Sequence, residues 1–218
     1  MLNLLQQQHY EQTHKQDIFQ RLQVEESEII ECLLQGQSAR RSKTKNDTNA
    51  GGGNAFFNDT NRALRDKLNH RGYEALKQKN IELTVNNDLK IALYLRAGCD
   101  QTGLQDGHPS SKTDLGIYTQ KYLNLSQDND PHSYDMFGQD LNSGIIPLDF
   151  ELWVILHYFD PHKKVVRAEL VKPVSCDSQG FLTGFDRDNR VILDLTQDDF
   201  VEKSPEFNDP IDFNEIEI

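Results

Sequence analysis

Between residues 16 and 35 the apolar side chains Ile18, Leu22, Ile29, Ile30, Leu33 and Leu34 recur at intervals of three, four and seven, opposite Glu25, Glu26, Glu28 and Glu31. That period places them on one stripe of an amphipathic helix. Gly36 follows as a natural C-terminal cap. Residues 37–55 then hold Arg40, Arg41, Lys43, Lys45 and the run Gly51-Gly52-Gly53 without a large apolar side chain, the composition of a flexible tether. Asn58, Asp59 and Thr60 offer N-cap chemistry ahead of Ala63, Leu64 and Leu68, and Gly72 closes a second expected helix over residues 60–71.

Beyond Gly72 the period changes to two. Ile81, Leu83 and Val85 alternate with polar residues, Asn86, Asn87 and Asp88 supply a turn, and Leu89, Ile91, Leu93 and Leu95 alternate again, which reads as a hairpin. Residues 98–116 contain four glycines and a proline and read as a long loop, while 117–125 fit a strand or a short helix equally well. Residues 128–143 read as a polar connection. Residues 150–159 are almost unbroken apolar and aromatic, the mark of a central strand buried on both faces. A turn at Asp160, Pro161, His162 and Lys163 leads to a return strand over 165–174. A third hairpin is expected from 181–185 and 190–195, joined by Asp186, Arg187, Asp188 and Asn189.

These patterns predict an α+β fold, with a mostly antiparallel sheet built from hairpins, helices on one face, and an N-terminal amphipathic helix on a flexible linker. They divide the chain into a helical appendage (1–36), a basic, Gly-rich linker (37–55), an α+β domain (56–196) and an acidic tail (197–218). Helix followed by meander is also the order of a mixed-sheet nuclease core, by analogy only.

Composition narrows the chemistry. With 36% hydrophobic residues, 27% charged and a net charge of -12, the whole-chain field repels nucleic acid and membrane surfaces. No apolar run approaches the roughly 20 residues of a membrane span. From Thr196 to the end, eight acids face the single base Lys203 and are interspersed with Phe200, Phe207, Ile211, Phe213, Ile216 and Ile218, too many apolar side chains for a solubility tail alone. Cys32, Cys99 and Cys176 are an odd number at spacings of neither a disulfide framework nor a metal knuckle. With no secretory signal pattern at the start, the expected compartment is the cytoplasm.

Four constellations carry candidate chemistry. Asp149, after Pro147 and Leu148, together with Glu169 and Lys172 approximates the carboxylates and lysine of a metal-dependent nuclease or phosphodiesterase using Mg2+ or Mn2+, with Asp114 as an alternative acid. The spacing is off by one residue, and strand periodicity sets Glu169 and Lys172 on opposite faces. The loop 98–116 gathers Arg96, Asp100, Thr102 and Lys112 as ligand-binding candidates, without P-loop spacing. Cys99 beside Asp100, and Ser111 beside Lys112, are incomplete nucleophile sets. The histidines are scattered in no metal-ligand spacing, and His157 inside the apolar strand reads as a core histidine. The basic run at 40–45 lacks interleaved aromatics and reads as a solvated tether.

With no complete catalytic set, the expected function is a non-enzymatic binding or regulatory subunit of an intracellular complex, without cofactor. It would meet a protein partner through its N-terminal helix and acidic tail, with no membrane contact and no nucleic acid outside the nuclease alternative. Basic mates for the tail within the chain are few, chiefly residues 40–45 and Lys163 with Lys164, so an outside partner is expected for it.

Overall fold

A computed structural model describes residues 2–78, 81–116, 119–120, 122–123 and 149–195. Helices α1 (Leu2–Leu22), α2 (Glu26–Arg41) and α3 (Gly51–Leu68) precede strands β1 (Tyr73–Gln78), β2 (Ile81–Asn86), β3 (Ile91–Ala97), β4 (Glu151–Asp160), β5 (Val165–Cys176) and β6 (Leu182–Leu193). The strands form one sheet in sequence order, antiparallel throughout except that β4 runs parallel to β3. The fold is therefore α+β, two three-stranded meanders joined by the long crossover through residues 98–150.

β4 occupies the position its apolar run demands. It pairs with β3 from Glu151 to His157 and with β5 from Val154 to Asp160, and Leu152 through Leu156 are buried. Its alternate side chains feed two cores. Trp153 and Ile155 join Ile91, Leu93, Leu95, Ala168 and Leu170 beneath Ile18, Phe19, Leu22, Ile29, Leu33, Phe56, Leu64 and Leu68 of the three helices. Leu152, Val154 and Leu156 join Leu83, Val85, Tyr94 and Val171 on the other face, under Leu115, Tyr122 and Leu123.

The helical half departs from its sequence pattern in three places. The single helix expected over 16–35 is two: Gln23 adopts φ 51 and the chain folds back. Glu25 and Glu28 then form a capping box that starts α2, with the Glu28 carboxylate accepting the Glu25 N–H at 2.8 Å. Neither helix is a free appendage, since both contribute to the core. The tether expected over 37–55 is helical at both ends, with 37–41 completing α2 and 51–55 opening α3. Phe56 and Phe57 pack their helix on the core, and that packing outweighs the poor helix propensity of three glycines. The expected cap residues Asn58, Asp59 and Thr60 lie mid-helix, while Gly72 does close the helical segment at φ 82.

Gly36 is not a cap. It is buried within α2, where α3 crosses so closely that a Cβ would lie 2.0 Å from Thr60 Oγ1 and 2.8 Å from the Phe56 carbonyl oxygen.

The β half differs in two places. β1 pairs with β2 over Tyr73 to Gln78, although its sequence shows little alternation to announce it. The expected third hairpin is instead one strand, β6, whose two parts pair in succession with β5. Between Val171↔Arg190 and Pro173↔Phe185, β5 advances past Lys172 alone while β6 passes Asp186 to Asn189. The turn chemistry is present, for Asp186 accepts the Asp188 N–H and the Asn189 side-chain amide. It closes a wide bulge because β5 is long enough to pair on both sides of it. Of 117–125, residues 119–120 and 122–123 are helical; the connection read over 128–143 and the acidic tail lie outside the described residues.

Gly36→Ala is predicted to destabilise the protein by about 1–3 kcal/mol in urea unfolding, the cost of overpacking. In an open helix the same change stabilises by roughly 0.5–1 kcal/mol, so the sign reports the crossing.

Candidate functional site

The residues expected to bind a metal do not assemble. Glu169 lies on β5 opposite Leu156 and is fully buried. Its carboxylate accepts the Arg190 Nε–H at 2.5 Å and the Gly103 N–H at 3.2 Å. Arg190 also donates to the carbonyls of Leu104 and Gln105, so this buried pair rivets the loop 98–116 to the sheet. Lys172 is on the opposite face, where its ammonium meets Glu151 at 2.7 Å beside Arg21. Burial pushes the Glu151 carboxyl up, but hydrogen bonds from Lys172 and Arg21 outweigh it and hold the group below its ordinary value. Asp149 pairs with Lys90 at 3.2 Å just before β4, about seven strand residues, or roughly 23 Å, from the level of Glu169. Asp114 is exposed on the loop. Among the described residues no three His, Cys, Asp or Glu side chains are grouped to hold one ion.

The loop 98–116 is fastened rather than open. Gly98 bridges to Ser111, the Cys99 N–H bonds the Ser110 carbonyl at 2.9 Å, the Lys112 N–H bonds that of Ala97 at 2.8 Å, and Leu115 bonds Gly180 at 2.7 Å. Thr102 is buried against Gly98, where a Cβ would lie 2.1 Å from its hydroxyl. Arg96 stacks near Tyr94 and donates to Thr113 Oγ1 and to the carbonyls of Thr113 and Asp114. Two of the four ligand-binding candidates, Arg96 and Thr102, thus hold the loop, while Asp100 and Lys112 face solvent. Burial pushes the Cys99 thiol up, but hydrogen bonds from Ser110 and Gln101 prevail and hold it below its ordinary value. Burial pushes the Cys32 thiol up to about 12.

A different constellation does assemble, at the end of the sheet where β3 and β4 finish and β5 begins. Arg40, in the last turn of α2, lies over the Phe159 ring at 4.1 Å, and Phe56 of α3 stacks on His157 at 4.3 Å. The end of α2 is thereby brought over the end of β4; Lys43 and Lys45 follow in the α2–α3 connection, and Lys163 and Lys164 follow β4 in its turn. Arg167 lies over Tyr158 at 5.1 Å and donates to the Asp100 carbonyl at 2.6 Å. Among the described residues Arg40, Lys43, Lys45, Lys112, Lys163, Lys164 and Arg167 make no ion pair, nor do Arg96 and Arg187, whereas Lys15, Arg21, Arg62, Arg65, Lys67, Arg71, Lys77, Lys90, Lys172 and Arg190 all do. Two acids at this end are engaged with backbone: Asp160 caps the N–H groups of His162 and Lys163, and Asp47 caps Thr44. Those bonds hold both carboxyls below their ordinary range.

His157 registers the field of this end. Burial first, then the charges of Arg40, Lys112 and Arg96, push its pKa down to about 3, so it is neutral at pH 7. The sequence shows the two basic runs separately; the aromatic seats on β4 were readable only as core. A concavity of about 720 Å³ between α1 and the start of α2 is lined by Phe19, Val24 and charges that pair among themselves, Lys15 with Glu26 and Arg71 with Glu25. Compared with known proteins, the chain matches no family model, no curated protein and no solved structure.

Two outcomes follow from this chemistry. Glu169→Ala strands the Arg190 guanidinium and the Gly103 N–H, and is predicted to cost on the order of 3–5 kcal/mol in chemical unfolding. The folded His157 stays neutral well below the 6.5 at which an unfolded histidine takes its proton, so acid favours the unfolded chain. The wild type should lose stability relative to His157→Phe as pH falls from about 7 to about 5. The slope of that difference is at most about 1.4 kcal/mol per pH unit, reduced because the ring keeps some contact with water. Parallel stability curves would show that the ring is protonated in the fold.

Proposed function

We propose that this chain is a non-enzymatic binding or regulatory subunit, working in the cytoplasm, which receives an acidic protein partner on the basic end of its sheet. One observation carries the reading: a chain of net charge -12 places Arg40, Lys43, Lys45, Lys112, Lys163, Lys164 and Arg167, none within ion-pair distance of a carboxylate among the described residues, on the segments at the end of β4, while its cations elsewhere are largely paired. Excess surface charge attracts a partner of opposite sign from a distance. A protein partner is favoured over nucleic acid because the rest of the chain repels a uniformly charged polyanion but tolerates a short acidic surface. Ile18, Phe19 and Leu22 of α1 are buried in the core, which shifts the expected contact from that helix to this end.

The alternative, a metal-dependent nuclease or phosphodiesterase, has less support. Of its four residues Glu169, Lys172 and Asp149 are committed to ion pairs, on two faces and at two levels of the sheet. The free thiols of Cys32, Cys99 and Cys176 suit a reducing compartment.

Fluorescence anisotropy with a labelled poly-glutamate peptide and with duplex DNA of equal charge separates these readings. The peptide should bind at low ionic strength and be released by salt. The double variant Lys163→Glu, Lys164→Glu, at two exposed positions, should bind about tenfold more weakly. Preference for DNA, or cleavage of it with Mg2+ or Mn2+, would overturn the proposal.

A further inference from the structure

We infer that α1 is an exchangeable arm: the groove it fills on the body also receives the α1 of a second copy of this chain, when the hinge at residues 23–25 opens and α1 and α2 become one helix. The inference does not depend on the proposed function. Three observations carry it. The first is that the hinge holds a residue against its preference. α1 ends in a Schellman turn, in which the Gln23 N–H bonds the Gln20 carbonyl at 3.0 Å and the Val24 N–H bonds that of Phe19 at 3.1 Å. Such a turn needs a left-handed residue, ordinarily glycine, and here Gln23 takes that conformation at φ 51. Residues 16–35 hold no glycine or proline, and Ile18, Leu22, Ile29 and Leu33 keep intervals of four, seven and four across the hinge. The local preference is therefore an unbroken helix, and the reversal is imposed from outside.

The second observation is what imposes it. Arg71 donates to the Gln23 carbonyl and to the Glu28 carboxylate, each at 2.7 Å, and the Tyr73 hydroxyl donates to the Leu22 carbonyl at 2.7 Å. In a continuous helix the same two carbonyls accept the N–H groups of Glu26 and Ser27 instead. Closed and open hinges thus satisfy one set of acceptors with two sets of donors. Opening gives up the capping box of α2 and relieves the backbone at Gln23. The third is how α1 is held. Among the described residues its grip is the burial of Ile18, Phe19 and Leu22, Arg21 over Trp153 and paired with Glu151, Lys15 paired with Glu26 at 2.6 Å, and His14 at the Asp188 carbonyl. The concavity of about 720 Å³ keeps α1 apart from the start of α2, so little besides the hinge ties the arm to its own copy. The α1 of a second copy carries the same side chains and fits the same groove, and a short hinge under strain favours that exchange.

The test uses the full chain, refolded from urea at high protein concentration and separated by size with light scattering. A dimer is expected beside the monomer, and it should survive dilution, because exchange requires Ile18, Phe19 and Leu22 to leave the core. Gln23→Gly favours the turn and disfavours the continuous helix, and each dimer opens two hinges, so this variant should lower the dimer's association constant by about tenfold or more. Zero-length carbodiimide coupling then locates the arm. In an open hinge Lys15 and Glu26 of one copy lie about 16 Å apart along the helix and cannot couple. After ordinary and heavy-isotope chains are refolded together, the dimer should therefore yield Lys15–Glu26 products that join heavy to light copies. The monomer should yield them within one copy, and Lys172–Glu151 products should stay within one copy in both. No dimer at any concentration, a dimer whose Lys15–Glu26 products stay within one copy, or a dimer fraction that Gln23→Gly leaves unchanged or raises would each overturn the inference.

Discussion

A strand without a polar face has to be covered on both sides, and in this protein β4 imposes that requirement on everything around it. Trp153 and Ile155 point to one face of the sheet and Leu152, Val154 and Leu156 to the other, all of them buried. Each such side chain contributes roughly 1.5–3 kcal/mol when removed from water, so leaving either face open would forfeit a large fraction of a typical domain's stability. Three helices supply one cover. The other comes from the crossover between β3 and β4, which returns over the sheet through Leu115, Tyr122 and Leu123. The parallel pairing of β3 with β4 and the long crossover are thus two aspects of one arrangement, since parallel neighbours need a connection that travels the length of the sheet.

The buried charges follow from the same constraint. A loop laid over a sheet needs its backbone groups satisfied, and Glu169 with Arg190 does that for residues 103–105 by reaching up from the sheet. Glu169 reads as a catalytic carboxylate in a strand pattern and functions as a rivet in the fold. Arg96, a ligand-binding candidate in the sequence, holds the same loop from β3. Lys172 and Glu151 tie β5 and β4 to α1 through Arg21. Once these groups are assigned to construction, the polar chemistry that remains is at the far end of the sheet, where Arg40 and Arg167 lie over rings on the two faces of β4 and Asp160 and Asp47 are held by backbone N–H groups.

How much of this was legible in the sequence depends on whether the information was local. The unbroken apolar run of β4, the alternation of β2 and β3 and the turn between them, and the Gly72 stop follow from side-chain period and turn chemistry, which neighbours in sequence determine by themselves. So does the placing of Glu169 and Lys172 on opposite faces, because a strand has a period of two wherever it lies. Net charge and its concentration in the tail likewise need no fold. Tertiary structure decided what depends on contacts between distant segments. Three glycines joined a helix because Phe56 and Phe57 found a core to pack on, and Gly36 became a crossing point because α3 came within van der Waals reach. A turn sequence at 186–189 became a bulge because β5 continued past it. Arg40 came to lie over the end of β4 because α2 ends above Phe159. In each case the residue's local preference was weak or ambiguous, and burial of apolar surface elsewhere in the molecule was the larger energy.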